Sequence, residues 1–77
     1  MQVNDMTQPG ALVRNTSGRY ELNGDELTSG SLIDVQRGDR WEAGRVEFDP
    51  DAQDYVIILS LGGTLLITSS LSVRQHL

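Results

Sequence analysis

The sequence predicts an all-β fold of five or six short antiparallel strands in meander order, and three observations carry that prediction. Apolar side chains recur at every second position in Tyr20/Leu22 and Ile33/Val35, the period of a half-buried strand. Turn dipeptides such as Asn23-Gly24, Gly38-Asp39 and Gly62-Gly63 punctuate these runs, and such pairs supply the backbone that hairpins require. No stretch longer than about ten residues shows the 3.6-residue apolar period of a helix.

Taken in order, residues 1–10 are polar, lack a period and end in the breaker pair Pro9-Gly10, so they are expected to form a frayed tail. One domain is expected over 11–77. Ala11 to Arg14 reads as a short strand, Asn15-Thr16-Ser17-Gly18 as a turn, and Arg19-Tyr20-Glu21-Leu22 as an alternating strand. Glu26 to Gly30 reads as a loop with Leu27 as its apolar plug. Ser31 to Gln36 follows as a strand with Ile33 and Val35 toward the core and Asp34 on the other face.

The stretch Arg40 to Leu61 holds the single Trp and the single Phe. Two β-branched and aromatic runs separated by Asp49-Pro50-Asp51-Ala52-Gln53-Asp54 mark a hairpin. Within its first arm the apolar positions change parity between Trp41/Ala43 and Val46/Phe48. An inserted residue would produce that change, so a β-bulge is expected near Gly44-Arg45, coiling the strand enough for a small sheet to close on itself. Tyr55 to Leu61 is apolar on both parities, as in a strand covered on both sides. Thr64 to Thr68 returns the chain, and Ser69-Ser70-Leu71 is expected to form a single 3₁₀ turn before Ser72-Val73-Arg74.

Seventy-seven residues make one small domain, whose modest core leaves little stability for a deep cavity. No Cys is present, which removes disulfides and thiolate zinc sites. The first twenty residues contain no continuous apolar segment, and the run Tyr55 to Leu59 is far short of the ~18 residues that span a bilayer. A cytoplasmic protein without a membrane partner is expected. The net charge of −5 argues against a coat for DNA or anionic lipid. Residues 21–54 hold ten of the eleven acids against three arginines, whereas 55–77 hold no acid.

Two resemblances follow from this order. Asp25 to Val35, a short turn and Trp41 resemble the diverging turn and second strand of SH3 domains. Arg40 to Val46, a polar turn, a strand from Tyr55, Gly62-Gly63 and Leu71-Ser72-Val73-Arg74 are similar to Tudor-like barrels. Both imply a small, strongly bent, five- to six-stranded antiparallel barrel. The run Gly18-Arg19-Tyr20 through Leu27, Gly30-Ser31, Trp41, Gly44-Arg45-Val46-Glu47 and Val73-Arg74 resembles a family of short bacterial and mobile-element proteins known as a domain of unknown function. Neither barrel's ligand follows from the likeness. Four aromatics, Tyr20, Trp41, Phe48 and Tyr55, would all be consumed by one methyl-ammonium cage.

Residue chemistry points away from catalysis, since His76 is the single His and neither Cys nor Lys offers a nucleophile or tuned base. The Asp49–Asp54 segment suggests calcium, but Asp54 stands where an EF-hand needs Gly and Ser60 where it needs Glu. A solvated turn is therefore expected, with no metal and no cofactor. Arg37-Gly38-Asp39 reads as a hairpin tip rather than an adhesion signal, and Asn15-Thr16-Ser17 as a turn rather than a glycosylation site. Trp41 has two readings: the main core aromatic, which its bulk favours, or a half-exposed anchor for a partner.

The expectation is a non-catalytic acidic binding module that engages a protein with a basic surface through its hairpin tips and central acidic segment. Trp41, Glu42, Asp39, Glu47 and Asp49 are the candidate contacts, with Arg40 or Arg45 fixing register. An inhibitor from a phage or plasmid that occupies a nucleic-acid-binding host protein is one concrete form. Two alternatives stand beside it. A nucleic-acid-associated barrel would need Arg14, Arg19, Arg37, Arg40, Arg45 and Arg74 to converge on one face. A homo-oligomer would use the twelve apolar residues of 55–77.

Overall fold

The computed structural model describes residues 8–76. Among them the chain forms eight strands and no helix: β1 (Leu12–Arg14), β2 (Tyr20–Leu22), β3 (Asp25–Glu26), β4 (Leu32–Arg37), β5 (Arg40–Asp49), β6 (Asp54–Leu59), β7 (Thr64–Leu66) and β8 (Val73–Gln75). Among the described residues no helix is therefore long and apolar enough to cross a membrane. The count exceeds the five or six expected because two- and three-residue pieces such as β3 still complete ladders, too short to declare a period in sequence.

The strands divide between two antiparallel sheets, one ordered β1-β2-β3 and the other β7-β6-β5-β4-β8. Strands β4 to β7 form the expected meander, and β8 returns across the sheet to pair with β4. The ladder does not run continuously around a barrel. The sheets are joined instead at Gly10, whose N–H donates to the Val73 carbonyl and whose carbonyl accepts from the Val73 N–H, both at 2.9 Å. The expected tail falls, for residues 1–7, outside the described residues.

Local turns follow their residues. Asn23 and Gly24 both have positive φ, 52° and 88°, the left-handed pair that a tight hairpin demands and that Asn-Gly tolerates best. Asn15 closes the first turn through its own side chain, Oδ1 accepting from the Ser17 and Arg19 N–H groups. Leu71 N–H donates to the Thr68 carbonyl at 3.3 Å, closing a single turn before β8.

No bulge interrupts β5. Its register with β4 runs unbroken from Leu32 opposite Arg45 to Arg37 opposite Arg40, and with β6 from Gly44 opposite Leu59 to Asp49 opposite Asp54. The parity change arises because apolar side chains occupy both faces of one regular strand. Val46 points into the core, while Trp41 and Ala43 lie on the opposite face. Gly44 is buried where β5 passes β6, and a Cβ there would stand 2.9 Å from the Ile58 carbonyl oxygen and 3.2 Å from Ile57 Cγ2.

The core lies between the sheets. Leu12, Tyr20, Leu22 and Leu27 pack against Ile33, Val35, Val46, Ile57, Leu59 and Val73 from the inner face of the larger sheet. Leu27 plugs the core as its loop position suggested. In β6 both parities are buried, Val56 on the outer face as well as Ile57 on the inner.

Candidate functional site

Residues directly opposite in neighbouring antiparallel strands share a face, so the registers map the outer face of the larger sheet. Asp34 in β4 lies between Arg74 in β8 and Ala43 in β5. Gln36 lies opposite Trp41, and Leu32 opposite Arg45, which faces Ile58 in β6. Glu47, Val56 and Leu66 form a further row.

Trp41 therefore stands outside the core, half-buried on this outer face. The Arg74 guanidinium carbon sits 4.2 Å from the centre of its ring, within the range of a cation–π contact. Arg74 Nε donates to Asp34 Oδ2 at 3.3 Å, and His76 Nδ1 makes a 2.6 Å hydrogen bond to Asp34 Oδ1. Asp34 is the one buried charged residue among those described, 8% exposed. The Arg74 guanidinium and the hydrogen bond with His76 offset the desolvation that burial would otherwise impose on its carboxylate. Trp41, Arg74, Asp34 and His76 thus form one cluster across three strands, with the indole held in place by a cation that Asp34 positions.

The candidate residues are not all brought together. Trp41, Arg45 and Glu47 share the outer face, where Arg45 Nε donates to Glu47 Oε2 at 2.9 Å. Arg40 and Glu42 project to the other face beside the β4–β5 hairpin, where Glu42 accepts a hydrogen bond from Arg40 at 3.1 Å and forms an ion pair with Arg37 at 3.8 Å. Asp39 is exposed at that hairpin tip. Asp49 lies at the far end of the ten-residue β5, about 30 Å from Arg40 at the usual rise per residue. There its Oδ1 accepts the Asp51 N–H at 2.9 Å, so the Asp-Pro-Asp segment forms its own turn.

Asp34 and His76 were not among the candidates from sequence, and Arg74 was one only for the nucleic-acid alternative. A signal existed in the acid set between the core residues Ile33 and Val35, and in the cation following Val73. The two are 40 residues apart, and only the crossover of β8 joins them.

The arginines do not converge. Arg14 pairs with Asp54, Arg19 with Glu26, Arg37 and Arg40 with Glu42, Arg45 with Glu47 and Arg74 with Asp34. Every cation that the nucleic-acid alternative would need is already beside a carboxylate. The acids left without an ion pair among the described residues include Asp39 at one end of β5 and Asp49 and Asp51 at the other. A separate network lies on the smaller sheet. The Arg19 guanidinium, with Asn15 adding a second hydrogen bond, holds the Glu26 carboxyl below its ordinary range. Burial, reinforced by the hydrogen bond to Asp54, pushes the Tyr20 phenol up.

Residues 10–75 match a protein family described as Domain of unknown function (DUF5348). No curated protein and no solved structure matches the chain.

Proposed function

Since the chain belongs to the DUF5348 family, whose description names no activity, we propose from the geometry that it is a non-catalytic binding module for a protein with a basic surface. The outer face around Trp41 supplies the anchor, and the unpaired carboxylates of the hairpin tips steer the approach. One observation carries this reading: the single Trp is absent from the core cluster and stands half-buried on the outer face of the larger sheet. Half-exposed Trp and Arg side chains are the residue types that dominate protein interfaces. The surplus negative charge at Asp39, Asp49 and Asp51 favours a cationic partner and a fast, salt-sensitive encounter. A nucleic-acid-binding protein whose phosphate site these carboxylates occupy is the concrete form of partner proposed, making the module its inhibitor. The cytoplasm is the compartment this reading assumes.

Photo-crosslinking tests it. A benzophenone side chain is placed at Arg45, on the outer face, and separately at Thr16, in the turn before β2, and each protein is irradiated in lysate of its source cells. The expected result is a discrete adduct from position 45 that weakens with added salt, is lost with Trp41→Ala and is absent from position 16. Equal adducts from both positions, or an adduct indifferent to Trp41→Ala, would remove the outer face from consideration.

A further inference from the structure

Arg74 occupies a site that its own strand does not build. The indole of Trp41 comes from β5 and the carboxylate of Asp34 from β4. Each oxygen of that carboxylate has a separate holder, the His76 ring at 2.6 Å from Oδ1 and the Arg74 Nε at 3.3 Å from Oδ2. His76 therefore keeps the carboxylate oriented when Arg74 is taken away. What remains is a ring face beside an oriented carboxylate, and a guanidinium is recognised by stacking on the one and donating to the other.

The hold on Arg74 itself is thin. Its contact to Asp34 is longer than the about 2.7–2.9 Å of a good charged N–H···O bond. Nε alone is used, and the two terminal nitrogens donate no hydrogen bond to a carboxylate among the described residues, so the two-pronged pairing open to a guanidinium is not made. The side chain lies on an edge strand and is already 37% exposed. It can turn into solvent while Val73, fully buried, keeps β8 in place.

We propose that Trp41, Asp34 and His76 form an arginine-receiving site, filled in the free chain by Arg74 and taken over by an arginine of the basic partner when Arg74 turns outward. This rests on the reading of the outer face as the docking surface. The occupant follows from the group already seated there, a guanidinium 4.2 Å from the ring centre, and from charge. Arg45 is paired with Glu47 on the same face, so the departure of Arg74 leaves Asp34 without a guanidinium, and a chain of net charge −5 draws a cation from outside. Lysine suits the site less, since its ammonium is a point charge that cannot lie flat on the indole. Arg74 is thus a built-in competitor, which lowers the apparent affinity by the fraction of time it is seated.

Nuclear magnetic resonance titration of the full chain tests this with two probes. One is a capped glycine–serine pentapeptide with a central arginine, and the other carries citrulline there, which keeps the shape and loses the charge. The Trp41 indole N–H and the Gln36 and Ala43 amides report on the site. The wild type is expected to bind the arginine peptide with Kd on the order of millimolar and to ignore the citrulline peptide. Arg74→Ala and Arg74→Gln should each bind the arginine peptide about two- to fivefold more tightly, the factor that one exposed cation–π contact represents. Adding Asp34→Asn to Arg74→Gln should remove the gain. Circular dichroism checks the fold, and Arg74→Gln keeps part of the stem should the alanine variant unfold. Binding that is unchanged or weaker in the folded Arg74 variants makes Arg74 a brace and overturns the proposal, as does an equal response to citrulline. A hexa-arginine peptide that shifts only the amides of Asp39, Asp49 and Asp51 overturns it while the basic partner stands. One that shifts nothing ends both.

Discussion

Along β5 two neighbouring positions meet different surroundings. Val46 is buried with Ile57 opposite it in the core, whereas Arg45, one residue earlier, looks outward and pairs with Glu47. The same contrast extends across the larger sheet. Its inner face is closed by Ile33, Val35, Ile57 and Val73, and its outer face holds Trp41, Arg74, Asp34 and His76 joined by hydrogen bonds and a cation–π contact. The inner face gains from removing apolar area from water, which scales with burial. The outer face depends on polar geometry that solvent reaches and partly screens. One sheet therefore carries the core on one side and a half-buried aromatic under a guanidinium on the other.

The largest effect that would break this contrast comes from the inner face. Ile57→Ala removes a fully buried side chain between β5 and β7 and is expected to cost about 3–4 kcal/mol. A domain of this length holds only ~4–12 kcal/mol in total, so the variant should unfold at much lower urea concentration. Next comes Gly44→Ala, whose added methyl meets the Ile58 carbonyl oxygen. Overpacking of this kind costs about 1–3 kcal/mol, and a loss of that size in urea unfolding would confirm that β5 and β6 pass each other closely without a bulge.

On the outer face the effects are smaller. Asp34→Asn keeps the shape but removes the charge that holds Arg74 and His76. Charge-assisted hydrogen bonds contribute about 1.5–3 kcal/mol, but both partners are more than a third exposed, so screening reduces the expected loss to about 1 kcal/mol. A shift in Trp41 emission should accompany it as Arg74 loses its anchor, and an unchanged spectrum would detach Asp34 from the indole.

The smallest effects are pH-dependent and belong to the other sheet. Glu26 has a folded pKa below its ordinary value, so its contribution is complete above the usual carboxylate range and is lost as pH falls through the folded value. Tyr20 has a folded pKa above its ordinary value, so its contribution is complete below about pH 10 and is lost as pH rises beyond. In stability profiles from acid to alkali, Glu26→Gln should flatten part of the acid limb and Tyr20→Phe part of the alkaline limb.

The two faces were not equally legible in the sequence. The inner face could be read because Tyr20/Leu22 and Ile33/Val35 alternate within a few residues, and alternation is a local signal. Asn23-Gly24 marked its turn for the same reason. Trp41 and Ala43 misled because apolarity does not say which face of a sheet is covered; an aromatic shielded by one guanidinium reads like one buried in the core. The bulge expected at Gly44-Arg45 followed from that assumption. The Asp34 cluster joins residues 74 and 76 to residue 34, and the capping of β8 joins Gly10 to Val73; residue types do not reveal which distant segments become neighbours.

The most direct test of the two-faced sheet is urea unfolding of Trp41→Ala beside Ile57→Ala, monitored by circular dichroism. If Trp41 belongs to a binding face, its truncation costs about 1 kcal/mol, the scale of one partly exposed cation–π contact and some apolar area, while Ile57→Ala costs several times more. If Trp41→Ala costs as much as the core truncation, about 3 kcal/mol or more, the indole holds the fold together and the division between the two faces does not stand.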